Sequence, residues 1–97
     1  MSERFDVVNN TAEHRFEIKQ GDALAELVYE MRGSDTIDLV HTAVPAALEG
    51  AGYGSALAKA ALEYARANGL HVIPTCQFVR AYIRRHPEYG ELTKASA

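Results

Sequence analysis

Between Glu49 and Ser55 the chain reads Glu-Gly-Ala-Gly-Tyr-Gly-Ser, with alternate glycines at Gly50, Gly52 and Gly54 just ahead of an amphipathic run. Without a Cβ, the backbone at such positions can turn its N–H groups inward and approach phosphate oxygens closely. A helix starting there adds unpaired first-turn amides and the positive end of its dipole. The chemistry implied is the holding of an anion, a phosphate above all. A tight turn uses the same residues, so on pattern alone both readings stand. Two phosphate-binding classes are excluded, because no Gly-Lys-Ser/Thr follows and the loop comes after a run of strands rather than opening a βαβ dinucleotide unit.

Cys76 is the single cysteine. It stands between a short apolar segment and a second helical run, where a helix N-terminus stabilises a thiolate and makes it nucleophilic. The alternative is a small buried hydrophobe. His41 falls on a strand, on the face expected to hold Ile37, Leu39 and Ala43, which implies a half-buried, hydrogen-bonded imidazole. It is also the internal side chain best suited to act as a base near neutral pH. Arg80, Arg84, Arg85 and His86 form a local basic patch, either a wet helix face or an anion contact. With 4 histidines, 1 cysteine and no His-x-x-x-His spacing, no metal is expected.

The elements that must position these residues follow from periodicity. Phe5 to Asn9 is a short apolar strand closed by a turn at Asn9 and Asn10. His14 to Lys19 alternates apolar and polar residues, Gln20-Gly21-Asp22 turns the chain, and Ala23 to Arg32 alternates again, which predicts a hairpin. After Gly33-Ser34-Asp35, Thr36 to Val44 forms a fourth strand ending before Pro45. From Gly54 a helix places Leu57, Ala58, Ala61, Leu62 and Ala65 on one face, and Asn68-Gly69 stops it. Leu70 to Thr75 is a fifth strand, set beside the fourth by the helical crossover. A second helix carries Phe78, Val79, Tyr82, Ile83 and His86 on its apolar stripe and ends at Pro87. The fold class is α+β: an antiparallel four-strand meander followed by α-β-α.

Composition sets the remaining bounds. The 97 residues, 47% apolar and 24% charged, suit one domain over 1–97. Charged residues interrupt every long apolar run and the N-terminus lacks a basic-then-apolar signal, so neither a membrane nor export is expected. A lone cysteine fits a reducing compartment. These features together point to a cytoplasmic protein. The net charge of −3 gives no electrostatic reason to bind nucleic acid.

The resemblance lies in ordered blocks that span most of the chain: His41-Thr42-Ala43-Val44-Pro45, Glu49-Gly50-Ala51-Gly52-Tyr53-Gly54, Ala60-Ala61-Leu62 with Ala65-Arg66, Pro74-Thr75-Cys76, and Tyr82 with His86-Pro87-Glu88-Tyr89. Together they resemble the small GNAT-like family of predicted acetyltransferases. Gly52 and Gly54 fit the GNAT signature Arg/Gln-x-x-Gly-x-Gly/Ala, while Glu49 stands at its first position. The resemblance implies a truncated GNAT fold, without the helices that normally cover the acyl-acceptor site. It implies that the backbone of Thr42, Ala43 and Val44 pairs with the pantetheine arm of an acyl-coenzyme A. It also implies a pyrophosphate held by amides around Gly50, Ala51, Gly52, Tyr53, Gly54, Ser55 and Ala56. Cys76 would accept the acyl group and Tyr82 would protonate the departing thiolate, although core packing is the other role of Tyr82. Asp38 corresponds roughly to a base of some relatives, or is a solvated edge-strand carboxylate. An arginine of the basic patch could meet the 3′-phosphate. The expected activity is acetyl transfer from acetyl-coenzyme A to an amine, on a small molecule or a protein. The alternatives are a coenzyme A-binding module with little turnover and a small interaction domain whose glycine loop is only a turn.

Overall fold

The period-two and period-3.6 stretches of the sequence become one sheet with helices on one face. The computed structural model describes residues 5–94. Strands β1 Val8–Asn10, β2 Arg15–Gln20, β3 Ala23–Arg32 and β4 Thr36–Ala43 precede helix α1 Tyr53–Ala67, strand β5 His71–Ile73 and helix α2 Gln77–Arg85. Short 3₁₀ turns occupy Ala46–Leu48 and Pro87–Thr93. The sheet order is β1-β2-β3-β4-β5, antiparallel except for the parallel pair β4 and β5. The expected meander followed by α-β-α is therefore present.

Hydrophobic burial holds the layers together. α1 presents Leu57, Ala58, Ala61, Leu62 and Ala65, all fully buried, to the sheet residues Phe16, Ile18, Leu27 and Leu39. The alanines keep the helix close to the sheet and the leucines fill the space between. From α2, Val79 and Tyr82 join the same cluster.

Several local expectations are corrected. β1 begins at Val8 rather than Phe5 and runs through Asn10, which pairs with Arg15. β5 ends at Ile73 rather than Thr75, because Pro74 has no N–H to continue the ladder. Pro87 ends α2, but the chain continues as a 3₁₀ turn whose Tyr89 is 3% exposed and donates its hydroxyl to Glu63 at 2.5 Å. Asp38 is not a solvated edge carboxylate. β4 lies inside the sheet, and Asp38, 4% exposed, accepts hydrogen bonds from Arg32 at 2.9 Å and Thr75 at 2.5 Å.

The most consequential correction is a bulge in β4. Tyr29 faces Leu39 but Val28 faces His41, so Val40 is an extra residue without a partner on β3. A bulge shifts every later side chain to the opposite face. Ile37 and Leu39 face the helices; beyond Val40 that face passes to Thr42, opposite the buried Leu27. His41 moves to the wet face opposite Val28 and is exposed, so it does not share a face with Ile37 and Leu39 and is not half-buried.

Candidate functional site

A cleft of about 830 Å³ lies where the end of β4 meets the start of α1. That volume lies in the range of small-molecule sites. His41, Thr42, Ala43, Val44 and Pro45 form one wall, and Leu48, Glu49, Gly50, Gly52, Tyr53, Gly54 and Ser55 form the other. Leu24 from the β2–β3 hairpin and Phe78 from the first turn of α2 close the ends.

The glycine wall has the backbone that an anion cradle needs. Gly50 has φ +85° and Gly52, the residue that caps α1, has φ +93°, both in the left-handed region. No side chain caps α1, and its first backbone bond is Ala56 N–H to Gly52 O at 3.0 Å. The amides of Tyr53, Gly54 and Ser55 precede that bond and carry the positive end of the helix dipole. A Cβ on Gly50 would meet nothing within 4 Å, so its glycine answers to backbone angle rather than to crowding. Gly54 is different. A Cβ there would lie 2.9 Å from Cζ of Phe78.

The strand wall offers an open edge. β5 pairs only with Thr36, Ile37 and Asp38, and the next link is the amide of Cys76 donating to Leu39 O at 2.9 Å. Among the described residues, no strand lies on the side of β4 away from β3 beyond Leu39. Backbone groups of such an edge can pair with an extended ligand whatever side chains they carry.

Cys76 lies behind this wall rather than in it. It is 9% exposed and caps the start of α2. Its sulfur is 3.3 Å from Oγ1 of Thr42. Burial pushes the thiol up, but hydrogen bonds from the Thr42 hydroxyl and from the Val79 and Phe78 amides outweigh it, leaving the thiol below its ordinary pKa. Tyr82 does not line the cleft. Its ring is 5% exposed and stacked with His86, centroids 4.2 Å apart, and with Tyr89 at 6.2 Å. Burial raises its hydroxyl pKa, and the Glu88 charge adds to the effect.

The structure thus gathers His41, Thr42, Ala43, Val44, Gly50, Gly52, Tyr53, Gly54 and Ser55 around one cleft. Ala51 is exposed beside it, and Ala56 faces a separate cavity with Phe5 and Lys59. Arg80 is drawn away, its guanidinium donating to the carbonyls of Pro74 and Thr75 at 2.9 and 2.8 Å. Leu24, Leu48 and Phe78 were not expected here. Leu24 alternates in phase with Glu26, Val28 and Glu30 on the wet face, and an apolar side chain at the start of that row was the available signal. Phe78, expected in the core, is 38% exposed.

The chain matches the family model of the GCN5-related N-acetyl-transferases over residues 15–92. It is 33% identical over 95 residues to Protein NATD1 of Danio rerio, an alignment covering 94% of this chain and 86% of that one. Against Protein NATD1 of Xenopus tropicalis it is 40% identical over 63 residues, which is 65% of this chain; the match spans only 58% of the frog protein. The NMR solution structure of a GCN5-like protein from Staphylococcus aureus superposes with a TM-score of 0.71 at 27% identity, covering 99% of this chain and 94% of that chain. By fold and by sequence, the chain belongs to the GCN5-related N-acetyltransferase family.

Proposed function

We propose that the chain transfers an acetyl group from acetyl-coenzyme A to an amine. The observation that carries this reading is the continuity of one cleft from an uncapped helix start with left-handed Gly50 and Gly52 to the unpaired edge of β4. The first is suited to a pyrophosphate, the second to the amides of a pantetheine arm, so the residues present fit the group. Acetyl-coenzyme A, when bound, supplies an activated thioester. The amides from Gly50 to Ser55 hold the phosphates. The backbone of Thr42, Ala43 and Val44 orients the arm, and apolar Leu24, Leu48 and Phe78 exclude water from the walls. Exposed His41 stands where the cleft opens to the wet face and takes the proton of the attacking amine. Glu49, also in the wall, opposes phosphate by charge, so the cradle works through amides rather than cationic side chains.

A second reading, a coenzyme A-binding module without turnover, is favoured by one observation. Among the described residues no helix covers the wet face of the sheet, where an acceptor site would be walled. Titration calorimetry with acetyl-coenzyme A, followed by assay of free coenzyme A thiol released with a panel of amines, separates the readings. Binding with amine-dependent release is expected. Binding without release on any amine supports the module, and absence of binding overturns both.

A further inference from the structure

Thr42 lines the cleft and Cys76 does not, and the two meet through their side chains. Its Oγ1 is 3.3 Å from the Cys76 sulfur, a contact between residues 34 positions apart. The contact exists because the extra residue Val40 turns Thr42 to the helix side of β4. Cys76 is the cap residue at the start of α2, and its amide is anchored to Leu39 O at 2.9 Å. A β-branched residue on a strand has few side-chain rotamers, so the hydroxyl is held where it stands.

We propose that Thr42 is the positioning residue of Cys76: its hydroxyl holds the sulfur at the start of α2 and favours thiolate over thiol. This goes beyond the backbone role given to Thr42 in the proposed acyl transfer, and rests on that reading only for its purpose. The charged groups on the neighbouring elements are already committed or turned away. Asp38 on β4 is tied to Arg32 and Thr75, Arg80 on α2 to the Pro74 and Thr75 carbonyls, and His41 faces the opposite side of the sheet.

Because Cys76 is the single cysteine, exchange of the folded chain with hydroxyethyl disulfide, read by intact mass, reports one sulfur. The thiolate attacks one probe sulfur and forms a mixed disulfide. The probe S–S bond breaks, and the released mercaptoethanol thiolate takes a proton from water. Thr42→Val should raise the midpoint of the pH–rate profile by about one unit, so about tenfold less thiolate is present near neutrality. Nucleophilicity rises with thiol pKa along a slope of about 0.4–0.5, so the plateau rate at high pH should rise about threefold while the neutral rate falls about threefold. The two profiles cross. A change in access alone would move the rate in one direction at every pH, and Thr42→Ser should follow the parent. Coincident or parallel profiles for Thr42→Val, or for Thr42→Ala should the valine variant not fold, overturn the assignment. That failure leaves acetyl transfer untouched. Conversely, crossing profiles stand even if no acetyl transfer is found.

Discussion

Gly54→Ala adds one methyl group at a place where its neighbour is known. Gly54 lies in the first turn of α1 and is not among the glycines with positive φ, so alanine there brings no backbone strain and gains up to about 1 kcal/mol of helix propensity. Its Cβ would stand 2.9 Å from Cζ, 3.2 Å from Cε2 and 3.4 Å from Cε1 of Phe78. Carbon atoms pack best at about 3.5–4.0 Å, so the ring has to move. Phe78 is 38% exposed and meets the methyl with the far end of a rotatable side chain. It can swing aside, and an overpacking cost of about 1–3 kcal/mol is partly offset by the helix gain. Stability should fall by no more than about 2 kcal/mol, a melting shift within about 16 °C.

Binding should respond more strongly, because Gly54 and Phe78 both line the cleft. A ligand must push the displaced ring back against the new methyl and meets that 1–3 kcal/mol directly. At about 1.4 kcal/mol per decade, acetyl-coenzyme A affinity should fall about fivefold to a hundredfold. Titration calorimetry on Gly54→Ala, Phe78→Ala and the double variant tests the mechanism. With no ring to meet, the double variant should bind as Phe78→Ala does, giving a coupling of about 1–3 kcal/mol. Additivity to within about 0.5 kcal/mol would refute the ring as the obstacle. Unchanged affinity in Gly54→Ala, with native circular dichroism, would remove the cleft as the coenzyme site.

Glu17 is 5% exposed, and its carboxyl is held below the ordinary value by the hydrogen bond from Arg15 at 2.7 Å, which together with Asn10 outweighs burial. A depressed folded pKa contributes stability above the ordinary carboxylate value and loses it as pH falls through the folded one, so Arg15→Ala should unfold at higher pH in an acid titration followed by circular dichroism. An unmoved acid midpoint would deny the coupling. Tyr82→Phe removes a hydroxyl from a buried stack outside the cleft and should keep affinity and turnover within about twofold, whereas a tenfold loss of turnover at intact affinity would return the hydroxyl to proton donation. Cys76 does not line the cleft, so incubation with acetyl-coenzyme A and no amine should leave no acetyl adduct on it by intact mass, and an adduct that Cys76→Ser abolishes would establish the covalent route instead. Full turnover in Cys76→Ala would defeat the covalent route and spare the acetyltransferase reading.

What was legible in the sequence is what depends on neighbours in sequence. Phe16 and Ile18, then Ala25, Leu27 and Tyr29, alternate and are buried; Leu57, Ala58, Ala61, Leu62 and Ala65 recur at helical spacing and fill one face. The glycine loop could be placed for the same reason, since strand, glycines and helix follow one another directly. Asp38 was misjudged because its burial depends on strand order, a long-range fact. Phe78 was assigned to the core because periodicity tells which face a residue is on, not whether a cleft opens there. His41 was put on the wrong face because a bulge is a mismatch between two strands, and Thr36 to Ala43 read alone is an unbroken strand.

That bulge shows how little local change separates a scaffold from a site. Were Val40 paired with Val28 in a regular ladder, His41 would keep the phase of Ile37 and Leu39 and turn to the helices, and Thr42 would turn to the wet face. The Cys76 sulfur would lose the hydroxyl 3.3 Å away, and the cleft mouth would lose its exposed imidazole. The bulge at Val40 therefore sets the surroundings of both the His41 imidazole and the Cys76 sulfur. Pro74 acts alongside it. By ending β5 at Ile73 it leaves the rest of β4 without a partner on that side, so the edge stays open beside the glycine cradle. The strand must be irregular where the cleft begins, since a regular β4, paired along its whole length, would bury the backbone groups that an extended ligand has to meet.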